Sequence, residues 1–304
     1  MPLPIVSLVT PAYNQADYLS QTIESVLVQS YPAIDYVVVD DGSTDATPAV
    51  LRDFGERVRW VRQENRGQAA TLNAAWGRAR GRYLAYLSSD DLIAPDAIAR
   101  AVALLERDPG LVCAYPQGDL IGPRGETLKR SVFRPFDLAD LVVRHETHIG
   151  PGAVFRADAC AAVGGWPERL KLAPDRDFWV RLATHGRFGF VPDTLAFYRM
   201  HPSAISWAET SPERAREHLT MLDGWFADGV LPPELSARAD EAYGRAHLAI
   251  ARIALRIGRF GDAWREWRIA CRRWPPLASA AEGWPLIRSA VGKPVRLALG
   301  MLAR

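Results

Sequence analysis

Apolar residues follow two rhythms along the first part of the chain. Short runs rich in β-branched residues read as buried strands: Pro4 to Thr10 (PIVSLVT), Tyr36 to Val39, Val58 to Val61, and Tyr83 to Leu87. Between the first two, residues 17–28 place Tyr18, Leu19, Ile23, Val26 and Leu27 at helical spacing, and Tyr31-Pro32 stops that helix. Further helices are expected after Asp45, from the Asn65-Arg66-Gly67 turn to about Ala79, and from Pro95 to about Arg107. Strands alternating with helices of about 10–15 residues predict βαβ units and a parallel sheet.

After Leu111 the pattern loosens. Leu111 to Tyr115 reads as a strand, Pro123-Arg124-Gly125-Glu126 as a turn between short strands, and residues 136–144 as a short helix. A Gly- and Pro-containing stretch, His148 to Phe155, suits close approach of backbone to a ligand, with Gly150 at its centre. A helix then ends at Gly164-Gly165-Trp166, another covers 175–184, and Phe188 to Val191 and Thr194 to Tyr198 read as two strands. Beyond Ser206 the pattern is helical. Residues 240–257 and 262–274 form a predicted hairpin broken at Gly258-Arg259-Phe260-Gly261. Trp264, Trp267, Cys271 and Trp274 share one face of its second helix and are expected to be its core, with Arg265, Arg268 and Arg272 opposite. The alternative for that helix is a basic amphipathic surface for anionic lipid. The domains expected are residues 1–205 and a helical C-terminal extension, 206–304.

Charge adds one asymmetry. Residues 1–201 carry 22 Lys and Arg against 24 Asp and Glu, whereas residues 252–304 carry 11 against 3. The three cysteines, Cys113, Cys160 and Cys271, are far apart and lack metal-ligand spacing, which fits a reducing compartment. The apolar run Ile5 to Val9 is too short for a signal-peptide core, and no uncharged apolar run reaches the ~18 residues that a membrane span needs. A cytoplasmic protein is expected, at most peripheral at the inner face of a membrane.

The chemistry sits at strand ends. The second predicted strand ends in Asp40-Asp41 and the fourth in Ser89-Asp90-Asp91. Open α/β sheets bind ligands at the carboxyl ends of their strands. One acidic strand end is accounted for by a helix cap, and Asp91 is placed to cap the helix near Pro95. Two on one sheet edge point to a shared cationic ligand, such as a divalent metal with oxygen donors.

Four motifs in order give the chain a resemblance over residues 4–201, about two thirds of its length. They are Thr10-Pro11-Ala12-Tyr13-Asn14, then Val39-Asp40-Asp41-Gly42-Ser43-Thr44-Asp45, then Ser89-Asp90-Asp91, and last Asp175-Arg176-Asp177-Phe178-Trp179-Val180-Arg181-Leu182 followed by Tyr198-Arg199-Met200-His201. Together they resemble the family 2 glycosyltransferases with the inverting GT-A fold. The resemblance implies a Rossmann-like, mixed and mostly parallel sheet flanked by helices. It implies a metal-dependent enzyme that moves a sugar from a nucleotide-diphosphate donor, UDP-sugar favoured, to a hydroxyl of a glycan or lipid-linked glycan in bacterial cell-surface polysaccharide synthesis. In that scheme Asp175 is the catalytic base. Pro11, Tyr13, Asp41, Asn73, Asp90 and Arg199 bind donor, Asp41 through an acceptor-only carboxylate suited to an imide N–H. Asp91 and His201 hold Mg²⁺ or Mn²⁺. Gly150, Trp166 and Asp177 lie toward the acceptor and sugar. Three departures stand out: Pro174 beside Asp175, Thr71-Leu72-Asn73 where the family often has Ala-Arg-Asn, and one carboxylate missing at Ser89. These motivate the alternative of a non-catalytic nucleotide-sugar sensor or scaffold. No nucleic-acid partner is expected. The basic C-terminal helices are a candidate membrane contact.

Overall fold

The computed structural model describes residues 2–204 and 211–279. The described residues fall into two units, one within Met1–Phe136, Thr147–Arg169 and Pro174–Ala208, the other within Asp137–Glu146, Leu170–Ala173 and Glu209–Arg304. The expected boundary at 205/206, and the basic segment 280–304, lie outside the described residues.

The first unit begins with alternating strands and helices: β1 (Val6–Ala12), α1 (Leu19–Leu27), β2 (Ile34–Asp40), α2 (Thr47–Asp53), β3 (Arg59–Arg62), α3 (Gln68–Trp76), β4 (Tyr83–Tyr86), β5 (Leu92–Ile93) and α4 (Ala97–Arg107). It continues with β6 (Leu111–Ile121), β7 (Thr127–Lys129), β8 (Val154–Arg156), α5 (Ala157–Val163), α6 (Pro174–Leu182) and β9 (Arg187–Arg199). The sheet order is β3-β2-β1-β4-β8-β6-β9-β5, with β7 on β6. β1 to β4 are mutually parallel, and β8 enters antiparallel beside β4. The chain turns one way from β1 to β2 and the other way to β4. The gap between the carboxyl ends of β1 and β4 is therefore a topological switch point, where such sheets take ligands.

Packing follows the periodicity. Leu19 and Ile23 of α1 meet Ala12, Val38 and Leu51 in one apolar cluster. Ala97, Ile98, Ala101, Val102 and Leu105 of α4 meet Val6, Leu8, Tyr83 and Ala85 in another. Three expectations change. β1 runs through Pro11 to Ala12 rather than stopping at Thr10, because Pro11 still aligns with Val39. The two strands expected at 188–198 are one, since Pro192 and Asp193 are taken up by a register shift against β6 between Pro116 and Gln117. The two-residue β5 was not expected, and it pairs Leu92 with Phe197 directly after the acidic turn.

The second unit is helical: a π-helical turn (Asp140–Arg144), where a short helix was expected, then α7 (Pro212–Ala215), α8 (Glu217–Ala227), α9 (Pro233–Ser236), α10 (Ala239–Arg256) and α11 (Phe260–Arg273). The predicted hairpin is α10 with α11. Leu248, Ala270 and Leu277 form its buried cluster, with Trp267, Cys271 and Trp274 packed against it. The fourth member of the expected core stripe, Trp264, is instead 60% exposed. Buried Glu266 accepts from Arg216 and pairs with His247 Nδ1 at 2.7 Å. No helix among the described residues is long and apolar enough to cross a membrane.

Candidate active site

The loops after β1 and β2 are laced together. Asn14 N–H donates to Ser43 Oγ at 3.0 Å, and Thr44 N–H donates to Asn14 Oδ1 at 2.8 Å. Pro11 is buried within β1, while Tyr13 just beyond is 48% exposed, so its ring is not core. Asp40 is fully buried. Its Oδ1 accepts from Ser43 N–H at 2.9 Å, and its Oδ2 lies 3.4 Å from Arg62 Nε. Asp41 reaches the next loop. Its Oδ1 accepts from Gln63 Nε2 (2.8 Å) and Arg66 N–H (2.9 Å), and its Oδ2 from Gly67 N–H (2.8 Å). A carboxylate has about four lone-pair sites, so Oδ2 keeps one for a ligand donor. Gln63 also donates to Thr71 Oγ1 at 2.8 Å. The sequence reading passed over Gln63, although it follows a strand end as the acids do.

At the end of β4 the two acids part company. Asp91 is buried, and its Oδ1 accepts the Arg199 backbone N–H at 2.8 Å. Burial, and then the charge of Asp90, push its carboxyl well above the ordinary range. Asp90 turns to His201, with Oδ2 3.0 Å from Nε2. His201 Nδ1 lies 2.8 Å from Ser203 Oγ, and its ring meets the Tyr18 ring tilted at 45°, 4.5 Å between centroids. Asp91 thus faces the β9 junction through Oδ1, while Asp90 faces the imidazole. Arg199 is displaced from its expected contact with donor. Its guanidinium donates to Asp90 O (2.8 Å), Gly122 O (3.3 Å), Pro123 O (3.1 Å) and Gln21 Oε1 (2.8 Å), and it lies over the Tyr18 ring. It holds the acidic turn and is 1% exposed.

The third acid opens α6. Asp175 sits in the first turn, half-buried, and its carboxylate accepts backbone N–H bonds from its own turn. Burial outweighs those bonds and the Arg176 charge and raises its carboxyl above the ordinary value. Burial, and then the charges of Asp175 and Asp91, push the Tyr86 hydroxyl well above its ordinary value. Asp177, expected toward the acceptor, instead pairs with Arg181 Nε at 2.8 Å. Arg181 in turn donates to Val163 O and, at 2.8 Å, to Gly165 O. Asn73, expected on the donor, grips the same turn from its other side. Its Oδ1 accepts Trp166 N–H and its Nδ2 donates to Trp166 O, both at 2.8 Å. Gly165 has φ +72°, and a Cβ there would lie 2.4 Å from Asn73 Oδ1, so the turn requires glycine. Trp166 is 3% exposed, edge-on to Tyr86 and Trp76, so it backs the site rather than lining it with an open face. Gly150 makes room for the Phe133 ring, which a Cβ would meet at 2.1 Å, and not for a ligand.

The model of "Glycosyl transferase family 2" matches residues 7–162. The putative teichuronic acid biosynthesis glycosyltransferase TuaG of Bacillus subtilis (strain 168) is 41% identical over 211 residues, 67% of this chain and 82% of its own. Among solved structures, residues 1–349 of S. aureus TarS, in complex with UDP-GlcNAc, superpose with a TM-score of 0.68 at 18% identity, covering 95% of this chain and 88% of that one. The mannosyltransferase PcManGT from Pyrobaculum calidifontis, in complex with GDP-Man and Mn²⁺, gives 0.60 at 24% identity, covering 99% and 84%. These likenesses assign the sheet and its flanking helices to the GT-A fold.

Proposed function

Since the chain belongs to glycosyl transferase family 2, and is a glycosyltransferase with a relative in polysaccharide synthesis, we propose that it moves a sugar, with inversion, from a nucleotide-diphosphate donor to a hydroxyl of a glycan or lipid-linked glycan. The observation that supports this reading is that Asp41 follows β2 and the Asp90–His201 pair follows β4, on the carboxyl side of strands that flank β1, with the charge of half-buried Asp175 felt at Tyr86 of β4. In the proposed reaction the acceptor oxygen bonds to the anomeric carbon as the bond to the nucleotide diphosphate breaks. Asp175 takes the hydroxyl proton, and its raised affinity for that proton suits the task. Tyr13 offers a ring face to the base, and the spare lone pair on Asp41 Oδ2 suits an imide N–H, which favours UDP.

The residues fit a divalent cation. Asp90 Oδ2 and His201 Nε2 are 3.0 Å apart, close to the ~3.0 Å edge of an octahedron with bonds of about 2.1 Å. Without a cation Nε2–H would donate to Asp90 Oδ2 and Nδ1 would accept from the Ser203 hydroxyl; with one bound, Nδ1–H would donate to Ser203 Oγ and leave Nε2 as the metal's ligand. Asp90 and His201 would therefore hold Mg²⁺ or Mn²⁺, with Asp91 supporting them from behind. Such an ion, when bound, would neutralise charge on the leaving diphosphate. The neighbour PcManGT was solved with Mn²⁺ and GDP-Man, which supports both the ion and the donor class. A cytoplasmic location, with peripheral contact at the inner face of a membrane, completes the reading.

Calorimetry with UDP tests the site. Wild type should bind UDP more tightly with Mn²⁺ than without, and Asp90→Ala should lose that difference. Equal UDP affinity with and without Mn²⁺ in wild type would overturn the metal assignment. Stabilisation by GDP- or dTDP-sugars but not by UDP-sugars in a thermal shift would overturn the choice of base.

A further inference from the structure

Helix α11 buries Ala263, Glu266 and Ala270 and turns another side to solvent. That outer side is apolar and basic together. Phe260 is 69% exposed and Trp264 60%, and Ile257 at the end of α10 is 38% exposed. Phe260 and Trp264 stand four residues apart, one above the other on a single face, and the exposed Arg268 and Arg272, expected opposite Trp264, instead continue that row at four-residue steps. Trp264 lies on the Trp267 ring at 4.9 Å, so it is held outward on a packed neighbour. An isolated exposed apolar residue needs no explanation, but aromatic residues aligned on one helix face mark an interaction surface.

The charges select the partner. The two acids of α11 are both taken. Asp262 pairs with Arg259 (2.6 Å) and Arg265 (3.0 Å), and Glu266 is buried with Arg216 and His247. Among the described residues, Arg268 and Arg272 have neither an ion pair nor a side-chain hydrogen bond. The face therefore combines aromatic rings with uncompensated guanidinium groups. Helices that lie in the plane of a membrane interface have this composition, with Trp and Phe at headgroup level and Arg against lipid phosphate. We propose that the Phe260–Trp264–Arg268–Arg272 face of α11 docks on an anionic phospholipid surface. This deepens the membrane contact in the proposed function, and it does not depend on the sugar chemistry, because lipid binding needs no donor.

Sedimentation of the full chain with vesicles tests it. Wild type should pellet with phosphatidylglycerol vesicles and much less with phosphatidylcholine vesicles at about 0.1 M salt, where exposed charges still act over about 10 Å. Arg268→Gln/Arg272→Gln should weaken binding about thirtyfold, at the usual contribution of a basic side chain near such a surface. Phe260→Ala/Trp264→Ala should weaken it at least about tenfold while leaving Tm and transfer to a soluble acceptor unchanged. No pelleting of wild type with phosphatidylglycerol overturns the proposal. So does wild-type binding by the aromatic variant, which would leave only a charged patch. A wild-type dimer in light scattering that Trp264→Ala makes monomeric, with no vesicle binding, would make the face an interface between copies instead. A chain that binds vesicles but transfers no sugar would refute the transferase assignments and leave this one standing.

Discussion

Arg199→Lys separates a residue that binds donor from one that builds the site. A direct contact with the diphosphate would be electrostatic, and lysine would keep the charge, much of the affinity and the stability. The structure predicts the opposite. The Arg199 fork serves four oxygens, on Asp90, Gly122, Pro123 and Gln21, and lies over Tyr18. An ammonium on a flexible stem matches one or two of these positions and not the planar fork. Leaving two to three buried acceptors unpaired, at about 1–3 kcal/mol each before relaxation, predicts a loss of roughly 3–5 kcal/mol. For a chain of this size each kcal/mol moves Tm by about 2–4 °C, so a fall of at least about 6 °C is expected by calorimetry. Because the backbone of Asp90 is one of the four acceptors, Mn²⁺-dependent UDP affinity should fall in parallel. A variant that melts within about 2 °C of wild type and yet loses UDP affinity would refute the positioning role and restore the direct contact.

Asp175→Asn should lower kcat by about 10²–10⁴ with UDP affinity nearly unchanged, and equal turnover would refute the base assignment. Asp175 must be ionised to act, and its folded carboxyl is raised. Activity should therefore fall, as pH drops, at a point above the ordinary carboxylate range, as a pH–rate profile will show. The linkage sign is that of a raised acid: its contribution favours the fold below the unfolded value and is lost as pH rises through the folded one. Asp175→Asn should thus be more stable than wild type at neutral pH, with the gain vanishing in acid, and a neutral-pH Tm at or below wild type would refute that reasoning. Asn73→Ala, by freeing the Trp166 backbone, should raise the acceptor KM more than the donor KM in steady-state assays, and a matching rise in donor KM would return Asn73 to the donor.

The three acidic pairs show what was legible and why the rest was not. Each pair was visible in the sequence because a strand or a helix start led into it. In each, the fold spends one member on the scaffold through an arginine distant from it in sequence or one turn away. Asp40 is buried against Arg62, Asp91 accepts the Arg199 backbone, and Asp177 is held by Arg181. Of the other members, Asp90 and Asp175 are half-buried, whereas buried Asp41 accepts from Gln63, Arg66 and Gly67 and keeps one lone pair. Arg181 holds Asp177 from one turn along the same helix, but for the other two pairs local spacing does not determine which member is spent, because that depends on where β3 and β9 arrive. The motif Ser89-Asp90-Asp91 therefore located the end of β4, and only the fold shows that Asp90 meets His201 while Asp91 accepts from the Arg199 backbone. The same limit explains Asn73 and Gly150, whose partners, Trp166 and Phe133, are brought in by tertiary packing. It also explains Trp264, since a four-residue rhythm identifies a helix face and only α10 decides which face is covered. A single carboxylate with an imidazole 3.0 Å away is enough for a cation that completes its shell with diphosphate oxygens and water. The carboxylate missing at Ser89 is then no argument for a sensor, because the proposed cation site needs only the Asp90 carboxylate and the His201 imidazole from the protein.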